Sequence, residues 1–233
     1  MLVKVPIIMS PPMAWSLLRE TEEPGTGKTN TRRFAWRDDH RPTFWKVICD
    51  DLKAGKITEV QVWVKETHYR FGLWVRDGLT ATGQTRWRFR PANDDVRFDL
   101  EGVPVTLTGS RRGSPTRQWW KRPSIFMPMV CSRLTLEVRS MRLEQLHQIS
   151  ATDAEAEGVE METADPPFWY VPGLHPHSIT AVGIEEPGPH HWSIRSYAKL
   201  WDHLHGAGAW DKNPEVVVID FAPRLCNIEA VAA

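Results

Sequence analysis

Lys28 and Thr31 stand three residues apart in the run Gly27-Lys28-Thr29-Asn30-Thr31-Arg32-Arg33. An amine and a hydroxyl held together can cleave an amide. The hydroxyl supplies a nucleophilic oxygen, and the amine takes its proton and later returns it to the leaving group. A free lysine is neutral in only about one molecule in two thousand at pH 7, so such a base needs its pKa brought down toward neutrality. That change amounts to about 4 kcal/mol of differential stabilisation. Burial among tryptophans, or a neighbouring Arg32 or Arg33, would contribute to it. Taken singly, each residue also has a plainer role: Lys28 as a solvated loop residue, Thr31 as the cap of a turn.

The same run has a second reading. With the residues before it, Pro24-Gly25-Thr26-Gly27-Lys28-Thr29 looks like the end of a phosphate-binding loop. That loop needs a glycine where this chain has Glu22, with Glu23 beside it, and two carboxylates there would repel a polyphosphate. It should also follow a buried strand, whereas residues 13–20 have helical spacing. Val216-Val217-Val218-Ile219-Asp220 has the look of a magnesium-binding strand, and equally of a core strand closing a sheet. Other chemistries find less support. His175, His177, His190 and His191 are close in sequence but lack H-E-x-x-H spacing or an evident carboxylate partner, so no metal site is expected. No G-x-S-x-G elbow is present.

The elements that must position these residues follow from pattern. Residues 3–9 read as a first strand, and Pro11-Pro12 starts a helix through about residue 20. Residues 24–31 form a loop. Val60, Val62 and Val64 alternate within a strand at 57–67, and Leu134, Leu136 and Val138 within one at 132–139. Residues 80–120, rich in Arg, Asp, Gly and Thr, read as an excursion of short strands and loops. At 149–158 a short helix is expected, with Ser150 as N-cap, Asp153 standing in for the capping-box acid and Gly158 as the stop. Residues 160–191 read as a long surface loop. An amphipathic helix spans 193–204, with Ile194, Tyr197, Ala198, Trp201 and Leu204 on one face. Residues 216–221 are the last strand. No regular βαβ rhythm or internal repeat appears, so the class is α+β.

Composition bounds the partners. The 233 residues carry 29 basic and 29 acidic side chains, with a pI near 7.1. A chain binding long nucleic acid mainly through phosphates would be basic overall, although a local patch around Arg32, Arg33 and Arg37 stays open. The chain has 12 Trp but only 3 Tyr, and one or two indoles are available to stack on a flat substrate. Cys49, Cys131 and Cys226 are scattered and odd in number, which fits a reducing compartment rather than a disulfide framework. No signal peptide or membrane-spanning run is evident. A soluble, cytoplasmic protein is expected.

The ordered set of motifs resembles the ASCH superfamily, and within it phage- and prophage-associated members. Gly27-Lys28-Thr29-Asn30-Thr31-Arg32-Arg33 is similar to its G-x-K-T-x-T-R-R. Val62-Trp63-Val64-Lys65-Glu66-Thr67 is similar to its strand ending V-R-E-T. Trp120-Lys121-Arg122-Pro123-Ser124-Ile125-Phe126-Met127-Pro128 resembles its W-x-P-S-I-x-M-P turn, followed by 132–138 and by Ala154-Glu155-Ala156-Glu157-Gly158. Trp201-Asp202, Gly208-Ala209-Trp210 and Asn213-Pro214 resemble its closing helix and strand. The resemblance implies a PUA-like curled β-barrel with flanking helices. The chain would be a single domain over 1–233, with long inserted loops at about 80–120 and 160–191.

One branch of that family removes the acetyl group from N4-acetylcytidine with a lysine, a threonine and a glutamate, without a cofactor. Carried over, its catalytic residues are Lys28, Thr31 and Glu157, with Arg33 as the following arginine. Glu66 and Arg133 are candidates for the pocket wall. The expected partner is a small nucleoside. Two mechanisms stay open: Thr31 attacks with Lys28 as base, or Glu157 activates water while a charged Lys28 stabilises the oxyanion. A rival from another class also stays open, an RNA- or modified-base-binding module using the same pocket without catalysis.

Overall fold

Val216, Val217, Val218 and Ile219 are all buried because their strand has a core on each face. Residues of such a strand need no polar alternation, which is why the run reads as continuously apolar. In the computed structural model, which describes residues 1–98, 111–174, 180–181 and 191–230, this strand is β11 (Glu215–Arg224). It belongs to a five-stranded sheet with β1 (Leu2–Ile8), β2 (Asn30–Phe34), β3 (Glu59–Lys65) and β7 (Thr135–Gln145). The order is β1-β3-β7-β11-β2, with β1 and β3 parallel and the other pairs antiparallel.

Val217 and Ile219 pack into one cluster with Val5, Ile7, Val62, Val64 and Leu136, together with Leu17 of helix α1 (Pro11–Glu22) and Ile48 of helix α2 (Phe44–Lys53). Val216 and Val218 face a second cluster. It holds Ala154 of helix α3 (Ala151–Ala156) and Ile194, Tyr197, Leu200 and Trp201 of helix α4 (Trp192–His205). The sheet is not closed into a barrel: β1 and β2 remain as edges. Arg33 of edge strand β2 reaches the far edge, donating to the carbonyl of Ile8 at 3.4 Å.

Local signals hold well. Ser150 accepts the Asp153 N–H as N-cap of α3, and Gly158 ends the helix with φ 97°, a conformation that favours glycine. Asp153 does not act as a capping-box acid; its carboxylate turns to Arg32 and Arg142 instead. On α4 the face expected from periodicity holds at Ile194, Tyr197 and Trp201, but Leu204 is exposed. Leu200 is buried in its place. The strand expected at 132–139 starts at Thr135 and continues to Gln145.

Two expected loops are more regular than the pattern implies. The polar segment after β3 forms long antiparallel strands, β4 (His68–Leu79) and β5 (Thr85–Phe98), in a separate sheet with β6 (Gln118–Arg122) in the order β5-β4-β6. Within β5 the run Arg86-Trp87-Arg88-Phe89-Arg90 does alternate, with arginines on one face and rings on the other, but the polar composition of the segment masks that signal. Within 160–191, β8 (Glu160–Glu162), β9 (Phe168–Tyr170) and β10 (Thr180–Ala181) form a small antiparallel sheet. Among the described residues, no helix is long and apolar enough to cross a membrane.

Candidate active site

The loop before β2 is tied to α1. Glu20 accepts the N–H groups of Gly25 (3.0 and 2.9 Å) and Gly27 (2.8 Å) through its carboxylate. A Cβ on Gly27 would lie 2.1 Å from the Ser16 carbonyl oxygen, so only glycine passes here. The Lys28 N–H then donates to Ser16 O at 3.3 Å, and the Thr29 N–H to Ala156 O at 3.0 Å. These bonds consume the amides that a phosphate loop would present to its ligand. The chain continues as strand β2 rather than as a helix with a free N-terminus. The phosphate-loop reading therefore lacks its anion cradle.

This anchoring sends the Lys28 side chain beneath the C-terminus of α3. Its Nζ donates to Glu157 Oε2 at 2.5 Å and to the Glu157 carbonyl at 2.8 Å. The second bond fills one of the carbonyls that every helix end leaves unpaired, where a cation is also favoured by the helix dipole. Lys28 is 0 % exposed and Glu157 4 %. Glu157 Oε1 accepts from Tyr197 Oη at 3.2 Å and from Arg32 Nη1 at 3.4 Å. Both oxygens of this carboxylate are thus held from three directions.

Arg32 is the hub beneath the pair. It donates to Glu144 Oε1 at 2.7 and 3.0 Å and to Asp153 Oδ2 at 2.9 Å, and lies over the Tyr197 ring at 6.0 Å. Burial pushes the Lys28 pKa down; the adjacent Glu157 opposes the shift, and Arg33 and Arg32 add to it. Burial next to Glu157 drives the Tyr197 phenol well above its ordinary value, so it stays a donor. Arg32 is raised despite its own desolvation, chiefly by Glu157.

Lys28 and Glu157 open onto a cavity of about 180 Å³ between α1, α4 and residues 171–174. Met13, Val171, Leu174 and Leu200 give it apolar walls, while Ser10, Ser16 and His203 add polar groups. An apolar pocket with a few convergent polar groups and a perturbed titratable residue is the usual form of a small-molecule site.

The other expected site residues are distributed as follows. Thr31 is buried opposite Ile219 in β2. Since successive side chains alternate across a strand, it faces away from Arg32 and does not line the cavity. Arg33 is half-buried, bonded to Ile8 and Arg32 carbonyls. Glu66 and Arg133 pair with each other, at 3.0 and 3.2 Å. The Arg133 guanidinium sits 3.8 Å from the Phe98 ring centroid. Neither lines the Lys28 cavity.

A surface patch of Arg32, Arg33 and Arg37 does not form, because Arg32 is fully enclosed. His175, His177 and His190 lie outside the described residues. His191 caps α4, accepting the Ser193 N–H at Nδ1. Among the described residues no group of three or more His, Cys, Asp or Glu is placed to hold a metal ion.

Sequence reasoning missed the supporting shell: Tyr197, Arg32 as carboxylate clamp, and Glu144. The available signal was faint. Tyr197 is one of only 3 tyrosines, on an otherwise apolar helix face, and a phenol there must find a partner. The chain matches no protein-family model, no curated protein and no solved structure.

Proposed function

We propose that the chain is a metal-independent amidohydrolase of the ASCH superfamily with a PUA-like core, removing acyl groups from the N4 amine of cytosine nucleosides such as N4-acetylcytidine. The observation that carries this reading is the fully enclosed Lys28–Glu157 pair, 2.5 Å apart at the floor of an apolar cavity. These are two of the three residue types that the resemblance assigns to catalysis, drawn together from distant parts of the chain.

The geometry favours water as nucleophile over Thr31, since Thr31 is not in the cavity wall. Glu157 takes a proton from water as its oxygen bonds to the acyl carbon, and charged Lys28 stabilises the oxyanion. The C–N bond then breaks, with the Glu157 proton passing to the departing N4 amine. The products are a carboxylic acid and cytidine. Tyr197 and Arg32 hold the carboxylate in place through the cycle.

A second reading, an RNA- or modified-base-binding module without catalysis, draws on one observation. Both Glu157 oxygens already have partners, as in a purely structural ion network. Incubation with N4-acetylcytidine separates the two. Release of cytidine, followed by chromatography, supports hydrolysis; binding without turnover supports the module.

A further inference from the structure

The chain's zero net charge conceals a strong asymmetry. Residues 68–122 carry eleven basic and five acidic side chains, leaving eighteen basic and twenty-four acidic in the rest of the 29 and 29. The basic excess is concentrated on the β5-β4-β6 sheet, far from any role in the Lys28 cavity.

One face of that sheet forms a groove of about 530 Å³. Arg70, Arg112 and Arg122 line it, and among the described residues no carboxylate does. Arg88 is paired with Val75, so its side chain leaves from the opposite face to the Trp74–Phe89 pair. The guanidiniums of Arg112 and Arg122 each lie 4.7 Å from the Trp74 ring centroid, and Arg122 also lies 4.9 Å from that of Phe89. Among the described residues Arg112 and Arg122 form no ion pair with an acid, while Arg70 lies 3.8 Å from Asp94. Burial and the like charges of Arg112 and Arg70 push the Arg122 pKa down, the mark of cations gathered without a counter-charge. Trp74 Nε1 is buried without a hydrogen-bond partner, an orphaned donor in the same wall. At the rim, Phe126 is 59 % exposed, and Trp87 offers a second indole to the groove.

Unpaired cations call for anions, and interleaved rings call for flat partners. A polymer that alternates phosphates with exposed bases meets both demands, and a paired duplex does not, because its ring faces are already stacked. We infer that the β5-β4-β6 sheet is a binding site for single-stranded nucleic acid, separate from the Lys28 cavity. The two sites share no lining residue. The inference does not depend on the hydrolase reading.

The test is fluorescence anisotropy of the full chain with labelled oligothymidylate and oligouridylate of about twenty nucleotides. The expected result is binding that weakens with salt, with a log–log slope of about −2 for three phosphate contacts. An abasic strand of equal length should bind at least about tenfold more weakly, since base–aromatic stacking is lost. Arg112→Glu, at an exposed position, should lose at least about fivefold in affinity, with unchanged melting temperature. If that variant unfolds, Phe126→Ala, at an exposed position, should still lower affinity for the normal strand and leave the abasic strand unaffected. Failure to bind at low salt would overturn the proposal. So would equal affinity for the abasic strand, or tighter binding of duplex.

Discussion

Lys28 and Glu157 are 129 residues apart in the chain and 2.5 Å apart in the fold, joined twice, once through the carboxylate and once through the backbone carbonyl that ends α3. The double attachment fixes the ammonium relative to the carboxylate. It also makes the helix end part of the site, so the loop after α1 and the C-terminus of α3 cannot shift independently.

Lys28→Ala and Glu157→Ala should each lower turnover of N4-acetylcytidine by at least about a hundredfold, the scale usual for general acid–base groups. Steady-state kinetics on variants shown by circular dichroism to be folded provides the check. Near-normal rates would remove the pair from the mechanism.

If water is the attacking group, as proposed, Thr31→Ala should keep turnover within about tenfold of the parent, since the general base stays in place. Loss of all detectable turnover in Thr31→Ala, with partial recovery in Thr31→Ser, would instead assign the nucleophile to the Thr31 hydroxyl. A trapped acyl-enzyme seen by mass spectrometry would confirm that alternative.

Arg32→Met should destabilise the protein by about 3–5 kcal/mol, because it leaves Glu144, Asp153 and Glu157 facing one another without their shared cation. For a chain of this size the melting temperature should fall by roughly 6–20 °C. A shift under about 2 °C would mean that the cluster relaxes freely around the gap.

His68 gives a pH signature. Its pKa is lowered to about 4, first by burial, then by Arg122, Arg70 and Lys65, against an opposing hydrogen bond to Glu66 O. The unfolded chain, near 6.5, binds the proton more readily than the folded one between those two values. Stability should therefore be full above about pH 6.5 and fall toward pH 4, with about 2 kcal/mol lost by pH 5. Urea denaturation at pH 7 and pH 5 should show this loss in the parent and a smaller one in His68→Gln. Equal losses in both would show that His68 is not the group responsible.

Short-range rules read directly from the residues located most of the elements. Ser150 and Gly158 bracket α3 because a hydroxyl that bonds a free amide, and a residue that tolerates positive φ, act within a few residues. Val216 to Ile219 reads as a buried strand for the same reason: the residues themselves are apolar, whatever covers them. The identities of Lys28 and Glu157 were legible too, through the motif order. What no local pattern contains is strand order and burial. Only the placement of β2 beside β11, with α3 and α4 over one face, encloses Arg32 and sets Tyr197 against Glu157. The turn of Thr31 to the opposite face is decided by register, since slipping a strand by one residue reverses every side chain. The arginine-rich composition of 80–120 was legible, but not its gathering with β4 and β6 into one sheet. Net charge sums over the chain, whereas the electrostatic field depends on where the fold gathers each sign.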